Sequence, residues 1–179
     1  MGQKQPRLLD SAGLWDYALK SLGGRAQSTG ELRTKLRRRA ERAGDVDDVL
    51  ARLKDDGYLN DQRFAEGFAA ARLSNDKFGR TRVMQDLRQR RVAPSLAERA
   101  VTEIYSEVNE EALIEDWIRR KYRLASRQTL FQEDKDLASA YRRLRRAGFR
   151  TGDIVCVLKR FAKNPELLDG MEETEEPES

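Results

Sequence analysis

The chain has 179 residues, with 35 Lys+Arg against 31 Asp+Glu, one Cys and no His. Without His there is no Ser-His-Asp triad, Cys-His dyad or His-ligated metal, and one Cys excludes both a disulfide framework and a Cys-cluster zinc site. No apolar run approaches the ~20 residues that span a bilayer, and Met1–Asp10 holds no apolar signal core, so the composition predicts a soluble, cytoplasmic, helix-rich protein.

Residues 1–12 are polar, with one Pro at Pro6, and are expected to form a disordered arm. From Gly13 to about Lys163 the pattern is one of short amphipathic helices separated by Gly, Asn, Asp or Ser. No stretch alternates with period two, so no strand is expected. Residues 13–58 predict helices at about 14–22, 28–40 and 46–55. Ser28 followed three residues on by Glu31 has the form of a capping box, and Gly57 supplies a left-handed residue after the third helix. Residues 59–107 predict helices at about 61–74, 79–90 and 95–106, with Asn60 or Asp61 as the first N-cap and Pro94 at the start of the last. Residues 108–163 predict helices at about 110–124, 134–147 and 151–163, the second ended by Gly148.

These three segments repeat one another. Tyr17, Ala18, Leu22, Leu32, Leu36, Val46, Val49, Leu50 and Leu53 recur 51 residues later as Phe68, Ala69, Leu73, Val83, Leu87, Ala97, Ala100, Val101 and Ile104. A third copy follows at an offset of 49 for the first helix (Trp117, Ile118, Tyr122) and 57 for the others (Leu144, Ile154, Val157, Leu158, Phe161). The eight extra residues fall around Ala125–Asp134. The expected fold is all-α: an elongated, curved array of three tandem three-helix repeats, nine helices in all. The aromatic residues Tyr17, Phe64, Phe68, Trp117, Tyr141 and Phe161 are expected in its core, while Trp15 and Tyr58 are less constrained.

The modest net charge of +4 conceals a division. Residues 164–179, expected to be a disordered acidic tail, hold seven acids and no base, which leaves 35 bases against 24 acids, a net +11, on the rest. The bases concentrate on the second helix of each repeat. These are Arg33, Lys35, Arg37, Arg38 and Arg39 in the first copy, and Arg80, Arg82, Arg88, Arg90 and Arg91 in the second. Arg142, Arg143, Arg145 and Arg146 follow in the third. Charge runs are often no more than solvated faces, but the same element is basic three times over, which points to a polyanionic partner. Arginine binds phosphate or carboxylate through a planar fork. With the aromatics assigned to packing, the contacts expected are to phosphates, with little sequence specificity.

Catalysis finds no support. The acid pairs Asp47/Asp48, Asp55/Asp56 and Asp134/Asp136 are unremarkable among 31 acids, there is no Gly-rich phosphate loop, and Cys156 within Ile-Val-Cys-Val-Leu reads as an inert packed thiol. No catalytic residue, metal or cofactor is assigned, and nothing demands an oligomer, so a monomer is expected.

The stretch Gly57-Tyr58-Leu59-Asn60-Asp61-Gln62-Arg63-Phe64-Ala65 resembles the G-[YF]-[LI]-[DN]-D-x-x-[FY]-A pattern of RecX regulatory proteins. Tyr17-Ala18-Leu19 through Ser28-x-x-Glu31-Leu32-x-x-Lys35-Leu36 is similar to that family's upstream segment, and Gly79-Arg80 through Leu87 to Val92 to its downstream one. Many relatives have Gly where Arg91 precedes Val92 here. The resemblance covers about residues 14–163 and is weaker in the third copy. It implies a nine-helix array that lodges in the helical groove of the RecA–DNA filament and modulates, mainly by inhibition, recombinase, ATPase and co-protease activity. On that reading the pattern residues around Gly57 are structural, Phe64 fills the core, and the second-helix arginines make the filament contacts. The competing expectation is a stand-alone DNA-binding protein of helix-turn-helix type. Gln85 and Gln89, beside Arg82, Arg88 and Arg90, could then read bases, though the other copies have no equivalent.

Overall fold

The computed structural model describes residues 7–122 and 130–172. The start of the expected arm, most of the Ser/Gln/Thr-rich segment before Asp134 and the last seven residues of the acidic tail lie outside the described residues. Among the described residues the chain is all helical. Nine helices have nine residues or more: α1 (Ser11–Gly24), α2 (Thr29–Arg37), α3 (Ala43–Asp55), α4 (Asp61–Ala71), α5 (Arg80–Gln89), α6 (Pro94–Ile104), α7 (Glu110–Tyr122), α8 (Asp134–Arg146) and α9 (Thr151–Lys159). A short turn of helix, α10 (Asp169–Glu172), follows. No strand occurs among the described residues; the backbone forms only two isolated bridges, Leu9 with Ala40 and Phe131 with Ala162.

Local chemistry sets the helix ends. Asp10, Asn60 and Asn109 open the first helix of each repeat, accepting from the N–H groups of Gly13 (2.9 Å), Arg63 (2.8 Å) and Ala112 (3.0 Å). Ser28 and Glu31 form the expected reciprocal capping box. Pro94 is the first residue of α6, where a missing N–H leaves nothing unsatisfied. Asp10 starts α1 three residues earlier than the apolar pattern indicates. Two helices stop earlier than expected because their last residues bond elsewhere. After α2, Leu9 donates to the Arg39 carbonyl (2.6 Å) and Glu41 donates back to Leu9 (2.9 Å). After α9, the Phe161 carbonyl accepts from Leu130 and Phe131, and Lys163 donates to Phe131 (3.1 Å). Between α4 and α5 the helix widens into a π turn, Arg72–Asp76. Past Lys163, where the acidic tail is expected to be disordered, Pro165–Leu168 form a 3-10 turn and Leu168 is fully buried.

The chain divides into two compact units, Met1–Ala69 with Asp86–Thr102, and Ala70–Gln85 with Glu103–Ser179. In the first, α1, α2 and α3 pack on one another around Leu14, Ala18, Leu32, Leu36, Val46, Val49, Leu50 and Leu53. In the second, α9 packs on α7 and α8 around Ile114, Ile118, Leu137, Leu144, Ile154, Val157 and Leu158. Except at Leu22, Leu73 and Ile104, which are half-buried, the recurring aliphatic positions are therefore the buried ones, at the spacing a helix needs to present one face. The recurring aromatics are not. Tyr17, Phe64, Phe68, Trp117, Tyr141 and Phe161 are each only half-buried, and the aromatics fully enclosed are Tyr105, Phe131 and Phe149. At three of the expected sites the buried residue is the next one along, Ala18, Ala69 or Ile118, which leaves the ring at the rim.

Candidate nucleic-acid interface

The second helix of each repeat, α2, α5 or α8, buries one apolar stripe. In the first two it is Leu32 and Leu36, then Val83 and Leu87; in the third, Leu137, Ala140 and Leu144. The basic residues lie off that stripe or just past the helix end, but they do not form one class. Helix-end geometry separates them first. In the first unit the N-terminus of α2 abuts the C-terminal end of α5: the Ser28 hydroxyl donates to the Arg90 carbonyl, and a Cβ placed on Gly30 would lie 2.5 Å from the Arg91 oxygen. In the second unit the N-terminus of α5 abuts the end of α8, with Gly79 donating to the Ala147 carbonyl (2.8 Å) and Thr81 to Gly148 (3.2 Å). Donors left over at one helix start thus satisfy acceptors left over at another's end.

These joints take up several of the expected binding residues. Arg80 donates through Nε to the buried Glu110 carboxylate at 2.6 Å and through Nη2 to the Tyr105 carbonyl at 3.3 Å. Burial, together with the Glu110 carboxylate, raises the Tyr105 phenol pKa far above its ordinary value, and its hydroxyl donates to the Phe78 carbonyl at 2.6 Å. Arg90 bridges to Glu31 at 3.0 Å and lies 5.5 Å from the Phe68 ring centre. Arg39, at the equivalent place in the first repeat, lies 5.3 Å from the Tyr17 ring centre. Burial favours the neutral acid at Glu31, but the hydrogen bonds from Arg25 and Arg90 outweigh it and hold the carboxyl below the usual range. Arg33 pairs with Asp47 at 2.6 Å, and Lys35 donates to the Ser21 hydroxyl at 3.0 Å. Arg82 lies over Phe78, and Arg145 donates to the Phe149 carbonyl at 3.4 Å. All seven have structural work.

The other seven are exposed: Arg37 in α2 and Arg38 just past it, Arg88 in α5 and Arg91 just past it, and Arg142, Arg143 and Arg146 in α8. Among the described residues none of their side chains has an ion pair or a hydrogen bond. Each lies in the C-terminal half of its helix or just past it, where a cation also complements the helix dipole. Arg37 and Arg88 occupy equivalent places in their repeats.

Arg91 has a second distinction. It sits at φ +58°, and the residue 57 positions on, Gly148, sits at φ +87°. Arg91 is therefore the left-handed residue that closes its helix, the place that Gly148 takes in the third repeat.

The acidic pairs are spoken for structurally: Asp47 by Arg33, Asp56 by Arg52 (3.6 Å), and Asp134 by Asn164 (3.0 Å). Cys156 is exposed rather than packed, with Arg160 donating to its sulfur at 3.4 Å. The reason is helical phase. Ile154, Val155, Val157 and Leu158 make the buried face of α9, and position 156 falls opposite. Among the described residues no helix is long and apolar enough to cross a membrane.

Comparison with known proteins agrees with this architecture. The model of the RecX first three-helix domain matches residues 15–53, and that of the RecX second three-helix domain matches residues 60–101. The chain is 31% identical over 134 residues to the regulatory protein RecX of Trichlorobacter lovleyi, covering 75% of this chain and 86% of that protein. It is 33% identical over 142 residues to that of Halorhodospira halophila, covering 78% and 82%. In fold it resembles the crystal structure of RecX from Lactobacillus salivarius, with a TM-score of 0.65 at 18% identity over 83% of this chain and 94% of that one. Two matched domains, relatives aligned over most of their length and a shared helical-repeat fold place this chain in the RecX family of regulatory proteins.

Proposed function

We propose that the protein regulates the RecA recombinase by binding the RecA–DNA filament in its helical groove, and that it mainly inhibits strand exchange, ATP hydrolysis and co-protease activity. Its place would then be in the cytoplasm, in recombination, repair and the SOS response, as a monomer without a catalytic role. The observation that supports this reading is the set of seven exposed arginines without ion pairs among the described residues, which recurs on or just past the second helix of all three repeats. A regular polyanion offers phosphates at regular intervals, and guanidinium forks placed on a repeated element suit it. Contacts of this kind position a protein without reading bases, so little sequence specificity follows.

The test is a titration of the protein into RecA assembled on DNA, reading ATPase and strand exchange. Both should fall. The Arg37→Ala/Arg38→Ala double variant should need more protein for the same effect. Its binding should also depend less steeply on salt, by roughly 0.7 to 0.9 of a log unit per lost phosphate contact. An unchanged slope would reduce these arginines to a solvated face. Tight, sequence-selective binding to naked duplex with no effect on RecA would favour the helix-turn-helix reading instead.

A further inference from the structure

One face of the first unit carries a run of aromatic rings interleaved with guanidinium groups. At one end Arg52 lies 4.0 Å over the Trp15 ring, and Trp15 meets Tyr58 edge-on at 6.2 Å between centres. Tyr58 is 56% exposed, a large value for an aromatic side chain, and among the described residues that edge contact is its one ring contact. Tyr58 and Phe64 both line a groove of ≈ 450 Å³. Beyond Phe64 a second groove of ≈ 320 Å³ follows, bordered by Arg25, Phe68 and Arg90. Phe64 and Phe68 are stacked at 6.0 Å, with 27° between their planes. The two grooves share Ala26, Arg63 and Phe64, so they form one continuous track.

Arg25, Arg63 and Arg90 line the two grooves. No acid lines either groove. Arg25 and Arg90 are tied to Glu31, and Arg52 is paired with Asp56. Arg63, which lines both grooves, has only its backbone engaged among the described residues, its N–H donating to Asn60. The track therefore offers flat rings at two successive depressions, and a cation with no side-chain partner among the described residues lines both.

The geometry points to a binding site for single-stranded nucleic acid in which unpaired bases stack at Tyr58 and Phe64 while Arg63 takes the intervening phosphate. Rings beside a positive groove are the arrangement by which proteins hold a single strand without reading its sequence, because every base has a π face. A duplex hides those faces, so the track discriminates strandedness, which the second-helix arginines do not. An acidic peptide would satisfy Arg63 but has no use for two flat platforms at successive steps. The inference rests on the reading of the protein as a nucleic-acid binder and adds a second mode of contact to it.

The experiment compares binding of the full-length protein to a short oligothymidylate and to an abasic oligonucleotide of the same length, across a range of salt. Tyr58→Ala and Phe64→Leu are tested beside the Arg37→Ala/Arg38→Ala variant, with circular dichroism to check helix content. The thymidylate should bind more tightly than the abasic strand. Each aromatic substitution should remove roughly ten-fold of that affinity, leave abasic binding as it was, and leave the salt slope unchanged. The arginine variant should lower the slope on both strands, so a failure of the phosphate reading appears in that variant alone. Equal affinity for the two strands, or wild-type affinity in Tyr58→Ala, whose exposed side chain leaves folding intact, overturns the inference. So does loss of RecA-filament binding in the aromatic variants with single-strand affinity retained, which would make the track a protein-docking groove.

Discussion

Arg80 and Arg88 lie on the same basic helix, yet Arg80 is locked against Glu110 while Arg88 is exposed with no ion pair among the described residues. Nothing local separates them in sequence, because the partner that captures Arg80 is 30 residues away. The recurring arginine was legible; the split between joint and free surface was not. Arg39 and Arg90 show why, since they recur in order to cover the half-buried rings of Tyr17 and Phe68. The exposure of Cys156, by contrast, follows from the phase of the four apolar neighbours on α9. Arg91 gives the sharpest test at this scale. A side chain at φ +58° carries a left-handed penalty of about 1 kcal/mol that glycine escapes. Arg91→Gly should raise stability by about that much, and Tm by roughly 2–4 °C for a chain of this size. Arg91→Ala removes the same charge but keeps the strain, so it should give no such gain. Equal Tm values for the two variants would show that the charge, not the backbone, sets the effect.

The start of α2 shows how a helix end becomes a joint. The capping box of Ser28 and Glu31 was legible, because both partners lie within one turn. Its second use was not: Ser28 reaches the Arg90 carbonyl, Thr29 donates to Asp61 at 2.7 Å, and Glu31 receives Arg25 and Arg90. Helix lengths were legible to within a turn, and they fail where a long-range backbone bond takes over, as Leu9 does after α2. Gly30 is tightly constrained by this joint, since any Cβ there meets the Arg91 carbonyl. Glu31 makes the joint sensitive to acid. Its folded pKa lies below the ordinary 4.5, so its stabilising contribution is complete above that value and is lost as pH falls through the folded one. Glu31→Gln should therefore lower the urea midpoint at pH 7, and the gap from wild type should close as the pH drops below about 4.5. A gap independent of pH would mean that packing, rather than charge, holds α2 against α5.

Across the whole chain, charge is divided as sharply as the helices are repeated. The bases sit on the repeats, and residues 164–179 add seven acids with no base. Leu168 belongs to the core of the second unit, so the acidic segment starts from a fixed point. Four of its acids, Glu173, Glu175, Glu176 and Glu178, follow the last described helix. On the proposed reading, such a segment would act against polyanion binding in two ways: it would repel the phosphates and it would offer carboxylates to the same arginines. Both effects are Coulombic and shrink with the Debye length, from ~30 Å at 0.01 M salt to ~8 Å at 0.15 M. Truncation before Glu173 should therefore tighten DNA binding at low salt and lose most of that advantage at physiological salt. It leaves Leu168 and α10 in place, so thermal stability should hold. A full-length chain with the four glutamates changed to glutamine should match the truncation, because charge rather than length is responsible. If the glutamine chain binds DNA like the wild type while the truncated one binds more tightly, the segment acts by occupying space, and the electrostatic account fails.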